Sequence, residues 1–311
     1  MNMGSFALSS LATVLLLGAC SGGGSGSTSN GNSSNGGSQG STTGTVGNDA
    51  SNPVCMRWKA DRAHLQEGAW TGGNPSQCIA GDIATPGRAN ALTQINLYRY
   101  LANLPAVSSD PTFDSKAQQC ALMVSISGLS HSPSASWPCY SADGAEAAAH
   151  SNEATLPAVS AVDLYMRDTG NSTTLGHRRW LLSNWLGPVG IGSTDVASCL
   201  WVIGGTGNSS NEWTAFPPAG AIPAEAAAMV DATGWSIQSN SIAFDSAVVR
   251  VTDNGVDKPV QTAVLLPSYG STYALSMVPV GWSSQAGHTY RVSISGTSKP
   301  IVYDVQVLNC Q

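Results

Sequence analysis

Residues 21–49, SGGGSGSTSNGNSSNGGSQGSTTGTVGND, are built almost wholly of Gly, Ser, Asn and Thr. A stretch like this has too little apolar surface to offset the entropy of ordering it, and it reads as a flexible tether. It divides the chain, and whatever packs a core must lie after it, in a stretch long enough for two domains. Charged residues make up only 10% of the sequence and the net charge is −6. With no basic stripe to release counterions, a nucleic-acid partner is not expected.

Ahead of the tether an apolar run, Leu11 to Leu17, ends in LGAC at residues 17–20. The run is too short for a stable bilayer span and reads as the core of a signal peptide. LGAC resembles the lipobox of bacterial lipoproteins, in which Cys20 is acylated and becomes the mature first residue. The preceding residues carry no Lys or Arg, which departs from that pattern. Ser21 after the cysteine resembles lipoproteins sent on to the outer membrane. The expectation is a protein of the bacterial cell envelope, held at the membrane through lipidated Cys20, with residues 1–20 as its signal peptide.

Six further cysteines, Cys55, Cys78, Cys120, Cys139, Cys199 and Cys310, make an even set. In an exported chain they read as disulfides, with fifteen possible connectivities. Nearness in sequence favours Cys55–Cys78 and Cys120–Cys139, leaving Cys199–Cys310. No CxxC spacing is present, so a thiolate zinc site is not expected.

Residues 50–86 form a lead-in bounded by the first cysteine pair and expected to pack on the next domain. From Gly87 the texture is helical. RANALTQINLYRYLANL carries Leu92, Ile95, Tyr98 and Leu101 at helical spacing and stops before Pro105. A second helix, started by Asp110-Pro111, runs to Gly128 with Ala117, Cys120, Ala121 and Val124 on one face. A third lies in PAVSAVDLYMRD, and a fourth begins near His177. GPVGIGS and CLWVIGG read as strands. After Thr214 the segments AVVRVTD, QTAVLLP, TYRVSISG and IVYDVQVLNC are short strands separated by NG, Gly and Pro, which suggests a small β-sandwich.

Between these elements fall the candidate chemical groups. His131 follows the second helix in GLSHSP, and Glu146 and His150 lie four apart in DGAEAAAH. Asp168 ends the third helix, and His177 opens the fourth in GHRR. Two imidazoles and two carboxylates can bind a divalent cation such as Zn or Mg, or pair as acid and base. Glu146 and His150 otherwise read as helix-surface neighbours. His64 and His288 read as surface residues. For Arg178 and Arg179 a carboxylate partner inside the domain is the expectation for at least one. Trp180, Trp185 and Trp201 read as core or rim packing.

The order Asn96 and Arg99, GLSHSP, a G.E segment, an apolar helix running into GHRR.LL, and VGIG resembles the CAP superfamily. That group includes the cysteine-rich secretory proteins, wasp venom antigens and plant pathogenesis-related proteins. The resemblance covers about residues 87–205. It implies an α-β-α sandwich whose cleft holds two histidines and two acids. Matched position by position, these are His131, Glu146, Asp168 and His177, with Tyr165 in place of the tryptophan that usually precedes the second acid. GAEAAA where the family has GEN, and the inserted TGNSTT, are departures. FPPAGAIPAE, VVRVTDNG and HTYRVSISG are similar to modules that follow CAP domains in some bacterial proteins.

The expected fold is therefore α+β: a CAP-type α-β-α sandwich at residues 87–213 followed by a small all-β sandwich-like module at 214–311. Three functions stay open. The first is an anchored binding protein whose cleft takes a lipid, a glycan or a protein. The second is a metal-dependent hydrolase or peptidase. The third is a structural envelope or adhesion protein. No HExxH occurs, and no GxSxG lies in the segments read as folded. A catalytic residue is accordingly not assigned, and covalent acyl transfer is disfavoured.

Overall fold

The computed structural model describes residues 49–311. The expected signal peptide, Cys20 and nearly all of the tether lie outside the described residues. In chain order the elements are α1 Pro53–Arg62, β1 Trp70–Thr71, β2 Asp82–Ile83, α2 Thr85–Leu101, α3 Pro111–Ser127, α4 Ala142–His150, β3 Ser151–Ala154, α5 Ala158–Arg167, α6 Gly176–Leu181, β4 Gly190–Ser193 and β5 Ser198–Trp201. They continue with β6 Trp213–Phe216, β7 Gly220–Pro223, α7 Ala224–Asp231, β8 Trp235–Ser239, β9 Val248–Asp253, β10 Val256–Lys258, β11 Val260–Val264, β12 Tyr273–Pro279, β13 Thr289–Ser295 and β14 Ile301–Leu308.

Local chemistry explains where the main helices start and stop. Asp110 caps α3, its carboxylate accepting from the backbone N–H groups of Thr112 and Phe113, and Pro111 occupies the first turn, where no donor is needed. Gly128, at φ +91°, ends it. Ser141 caps α4 by accepting from the N–H of Gly144.

Strands β3, β5 and β4 form an antiparallel sheet in that order. Alternation along β5 makes it the middle of a sandwich. Cys199 and Trp201 join the apolar cluster of α3 and α4, whereas Leu200 joins that of α2 and α5. Gly192 on β4 lies where a Cβ would run into the backbone of Ala117, so its lack of a side chain lets α3 lie close on the sheet.

The C-terminal half is α+β only through α7; otherwise it is two facing sheets, β10-β9-β13-β14-β7 and β11-β12-β8-β6. Ile301, Tyr303, Val305 and Val307 point inward along β14 while Val302 and Gln306 face out. The observed architecture is thus the α+β one expected, an α-β-α sandwich plus a β-rich module. A single apolar cluster runs from Cys55 through α2 and α5 into both sheets of the C-terminal half.

The six cysteines are all in disulfides, but not in the pairs that sequence nearness favoured. They are Cys55–Cys310, Cys78–Cys139 and Cys120–Cys199. Loop-closure entropy grows only logarithmically with length, so nearness in sequence is a weak guide once a fold brings distant segments together. Cys120 lies on the sheet-facing side of α3 directly over Cys199. Cys55 ties α1 to the end of the chain, where the Asp49 N–H also donates to the carbonyl of Asn309 at 2.8 Å. The lead-in is therefore closed by the C-terminus, not by Cys78.

Candidate functional site

Strand β3 has only one neighbour in its sheet, so one edge is free. Along that edge lies a cavity of about 450 Å³ whose lining includes His131, Ser151, Asn152, His177 and Trp180. That volume falls inside the roughly 300–1,000 Å³ typical of small-molecule sites.

His177 stands at the first turn of α6. Its Nδ1 is 2.9 Å from Oδ1 of Asp168, a fully buried carboxylate that ends α5 in the left-handed conformation. The same oxygen accepts from Nδ2 of Asn171 at 2.7 Å, and Oδ2 accepts from the Arg178 N–H at 3.2 Å. With its proton on Nδ1 for Asp168, His177 keeps the lone pair on Nε2. The ring of Tyr165 lies beside the imidazole, centroids 5.2 Å apart. Burial raises the Tyr165 phenol, which stays protonated and donates to the carbonyl of Asn152 at 3.1 Å.

His131 sits on the loop after α3 and is far more exposed. Its Nδ1 is 2.9 Å from the carbonyl of Ala148, which again leaves Nε2 without a hydrogen-bond partner among the described residues.

The acid between the two histidines is Glu153 on β3. Its Oε2 accepts from the Ser130 N–H at 2.8 Å, and its Oε1 is 3.7 Å from Nδ1 of His131. Desolvation pushes its carboxyl above the usual glutamate range, opposed by the charge of His131, the Ser130 hydrogen bond and the charge of His177.

The structure thus brings together His131, His177 and Asp168 of the four candidates and leaves Glu146 out. Glu146 is exposed on α4, in an ion pair with Lys116 at 2.6 Å. It does not pair with His150, whose Nδ1 contacts the backbone carbonyl of Glu146 at 2.8 Å while its ring stacks on Trp201. The position of the first acid is occupied by Glu153, seven residues on. Its only sequence signal is to be the sole carboxylate between α4 and α5.

Four donors in one cleft do not yet make a metal shell. Zinc holds its protein ligands at about 2.0–2.3 Å, which brings those atoms close together. Among the described residues, the only three His, Cys, Asp or Glu donors lying within 4.8 Å of one another are Cys120, Glu153 and Cys199. The two sulfurs are joined in a disulfide and offer no thiolate. The imidazoles and acids of the cleft do not converge that tightly, so the protein alone supplies no closed three-ligand shell there.

Other residues of the recognised pattern form the frame. Asn96 bonds Val107 in both directions, accepting from its N–H at 2.8 Å and donating to its carbonyl at 2.9 Å. Arg99 donates to the carbonyls of Pro105, Leu181 and Ser183 at 2.8–3.0 Å. Arg178 and Arg179 do not take the carboxylate partner expected for one of them. Both are buried and donate to backbone carbonyls and hydroxyls, Arg178 to Met166 and Arg167 as well as Gly234 and Thr233, and Arg179 to Thr174 as well as Leu266 and Ser271; burial lowers each to about 10. Trp201 is core, stacked on Phe113, whereas Trp185 is exposed. His288 is no bare surface residue, since its Nδ1 is 2.8 Å from the buried carboxylate of Asp253.

Residues 92–200 match the sequence profile of CAP, the cysteine-rich secretory protein family. That stretch is similar to CAP domains. No curated protein and no solved structure matches the chain. The CAP match spans every residue of the cleft wall from His131 to Trp180. Ser268 and Tyr269, which line the same cavity, lie beyond it.

Proposed function

We propose that this is an exported, lipid-anchored protein whose CAP cleft binds a ligand (a lipid, glycan or protein) between His131 and His177. The observation that carries the reading is the open cavity along the free edge of β3, with one imidazole oriented by a buried carboxylate. Three disulfides favour an oxidising compartment, and a Cys20 anchor followed by a 29-residue tether (21–49) would give such a cleft reach from a membrane. The test is binding by native mass spectrometry against soluble glycans, fatty acids and envelope proteins. The ligand should be lost in His177→Ala and kept in the surface control Glu146→Ala. A ligand indifferent to both His131→Ala and His177→Ala would count against the cleft.

The Asp168–His177 pairing supports a second reading. A carboxylate on Nδ1 is a common support for a metal-bound imidazole, and His131 and His177 would hold Zn²⁺ or Mg²⁺ through Nε2, with the remaining ligands from water or substrate. A bound cation would supply an activated water to a hydrolase. Calorimetric titration of Zn²⁺ decides it: stoichiometric binding lost in His131→Ala/His177→Ala supports the site, and no binding to the wild type ends this reading.

A further inference from the structure

We propose that the C-terminal module completes the cleft, and that its 268–271 turn makes the cavity a saccharide site with Tyr269 as the specificity-determining residue. This rests on the reading that the cleft binds a ligand.

The turn between β11 and β12 is held against the CAP domain by groups that leave it little freedom. The Leu266 N–H donates to the carbonyl of Thr173 at 2.9 Å. Arg179 donates through Nη1 to the Leu266 carbonyl at 2.7 Å, and through Nη2 to the carbonyl and hydroxyl of Ser271, both at 3.1 Å. Gly270, at φ +70°, passes so close to the Arg179 carbonyl that no Cβ would fit. Ser268 adopts φ +70°, a conformation a non-glycine residue keeps only where its surroundings impose it. Tyr269 packs over Gly176, the residue before His177, where an added Cβ would meet the ring at 2.8 Å. A preorganised wall of this kind lowers the ordering cost of binding.

The lining chemistry selects the ligand class. The hydroxyls of Thr173, Ser268 and Tyr269 have no hydrogen-bond partner among the described residues. The Ser151 hydroxyl is buried and unpaired, in a residue only 2% exposed. A hydroxyl both donates and accepts, as sugar hydroxyls do. An acyl chain would cover these groups without satisfying any, which disfavours it against a hydroxyl-rich ligand. An anion finds no guanidinium on the cavity wall: no arginine lines it, the Nη groups of Arg178 and Arg179 bond the frame, and the unpartnered Arg179 Nε is buried. Tyr269, 37% exposed, and the half-buried Trp180 supply aromatic surface for the C–H face of a pyranose ring.

The test screens the full chain on a printed oligosaccharide array and titrates the best saccharide calorimetrically, with palmitate and phosphatidylglycerol vesicles as separate arms. Tyr269→Ala should weaken saccharide binding at least tenfold. Tyr269→Phe, which keeps the ring, should stay within about threefold of wild type. Ser268→Ala, a small change that leaves the core untouched, should weaken it severalfold. Absence of any saccharide hit, or saccharide binding indifferent to Tyr269→Ala in a folded protein, overturns the proposal. Lipid or peptide binding that is lost in His177→Ala, with no saccharide bound, overturns it while leaving the cleft-binding function standing. A ligand indifferent to both His177→Ala and Tyr269→Ala ends both.

Discussion

Glu153 is a carboxyl in a buried strand with one strong hydrogen bond and two imidazoles nearby. Because folding raises its pKa, the protonated form is favoured in the native state. The stabilisation is fully present below the ordinary value of 4.5 and is lost as pH rises through the raised value. Glu153→Gln removes this dependence while keeping an acceptor for the Ser130 N–H. The melting temperature of the variant should therefore gain on the wild type as pH is raised from below 4.5 toward 8. A difference that stays flat across that range would place the charge of Glu153 elsewhere. Asp168→Asn probes the other acid. An amide oxygen can still accept from Nδ1 but polarises and orients the imidazole less than a carboxylate does, so any cleft ligand that depends on His177 should bind more weakly by about tenfold.

Among elements, the two arginines after His177 decide how the halves meet. Short helix α6 carries His177 on one side and sends Arg178 and Arg179 into the C-terminal half. Arg178 reaches the carbonyl of Gly234 at 2.7 Å, just ahead of β8, while Arg179 holds the 268–271 turn. Arg179→Ala would leave the carbonyls of Thr174, Leu266 and Ser271 short of a donor, and should cost about 3 kcal/mol or more in urea unfolding. Arg179→Lys, with one compact ammonium in place of a fork, should recover only part of that. An unchanged midpoint for the alanine variant would mean that the turn is held by other contacts.

For the whole molecule the decisive link is Cys55–Cys310, which closes a loop of 255 residues and joins α1 to the last strand's end. Removing it with Cys55→Ser/Cys310→Ser should cost about 2–5 kcal/mol. On the chain-entropy model it should cost about 1 kcal/mol more than Cys78→Ser/Cys139→Ser, whose loop spans 61 residues. Chemical denaturation of the two variants side by side measures the difference, and equal losses would show that strain or packing outweighs loop entropy.

Helical periodicity, the Asp110-Pro111 start and the alternating strands after residue 214 made α2, α3, α5, β9, β13 and β14 legible in the sequence, because these signals are local. So were His131, Asp168 and His177, which stand at element ends inside short recognisable motifs. Three things were decided only by tertiary structure. Disulfide partners depend on which faces meet, as Cys120 over Cys199 shows. The acid beside the two histidines depends on which carboxylate the edge strand buries, and that is Glu153 instead of Glu146. The wall carrying Tyr269 comes from some ninety residues beyond His177 in the chain, and no local pattern can announce a contact made through the backbone carbonyls that Arg179 collects.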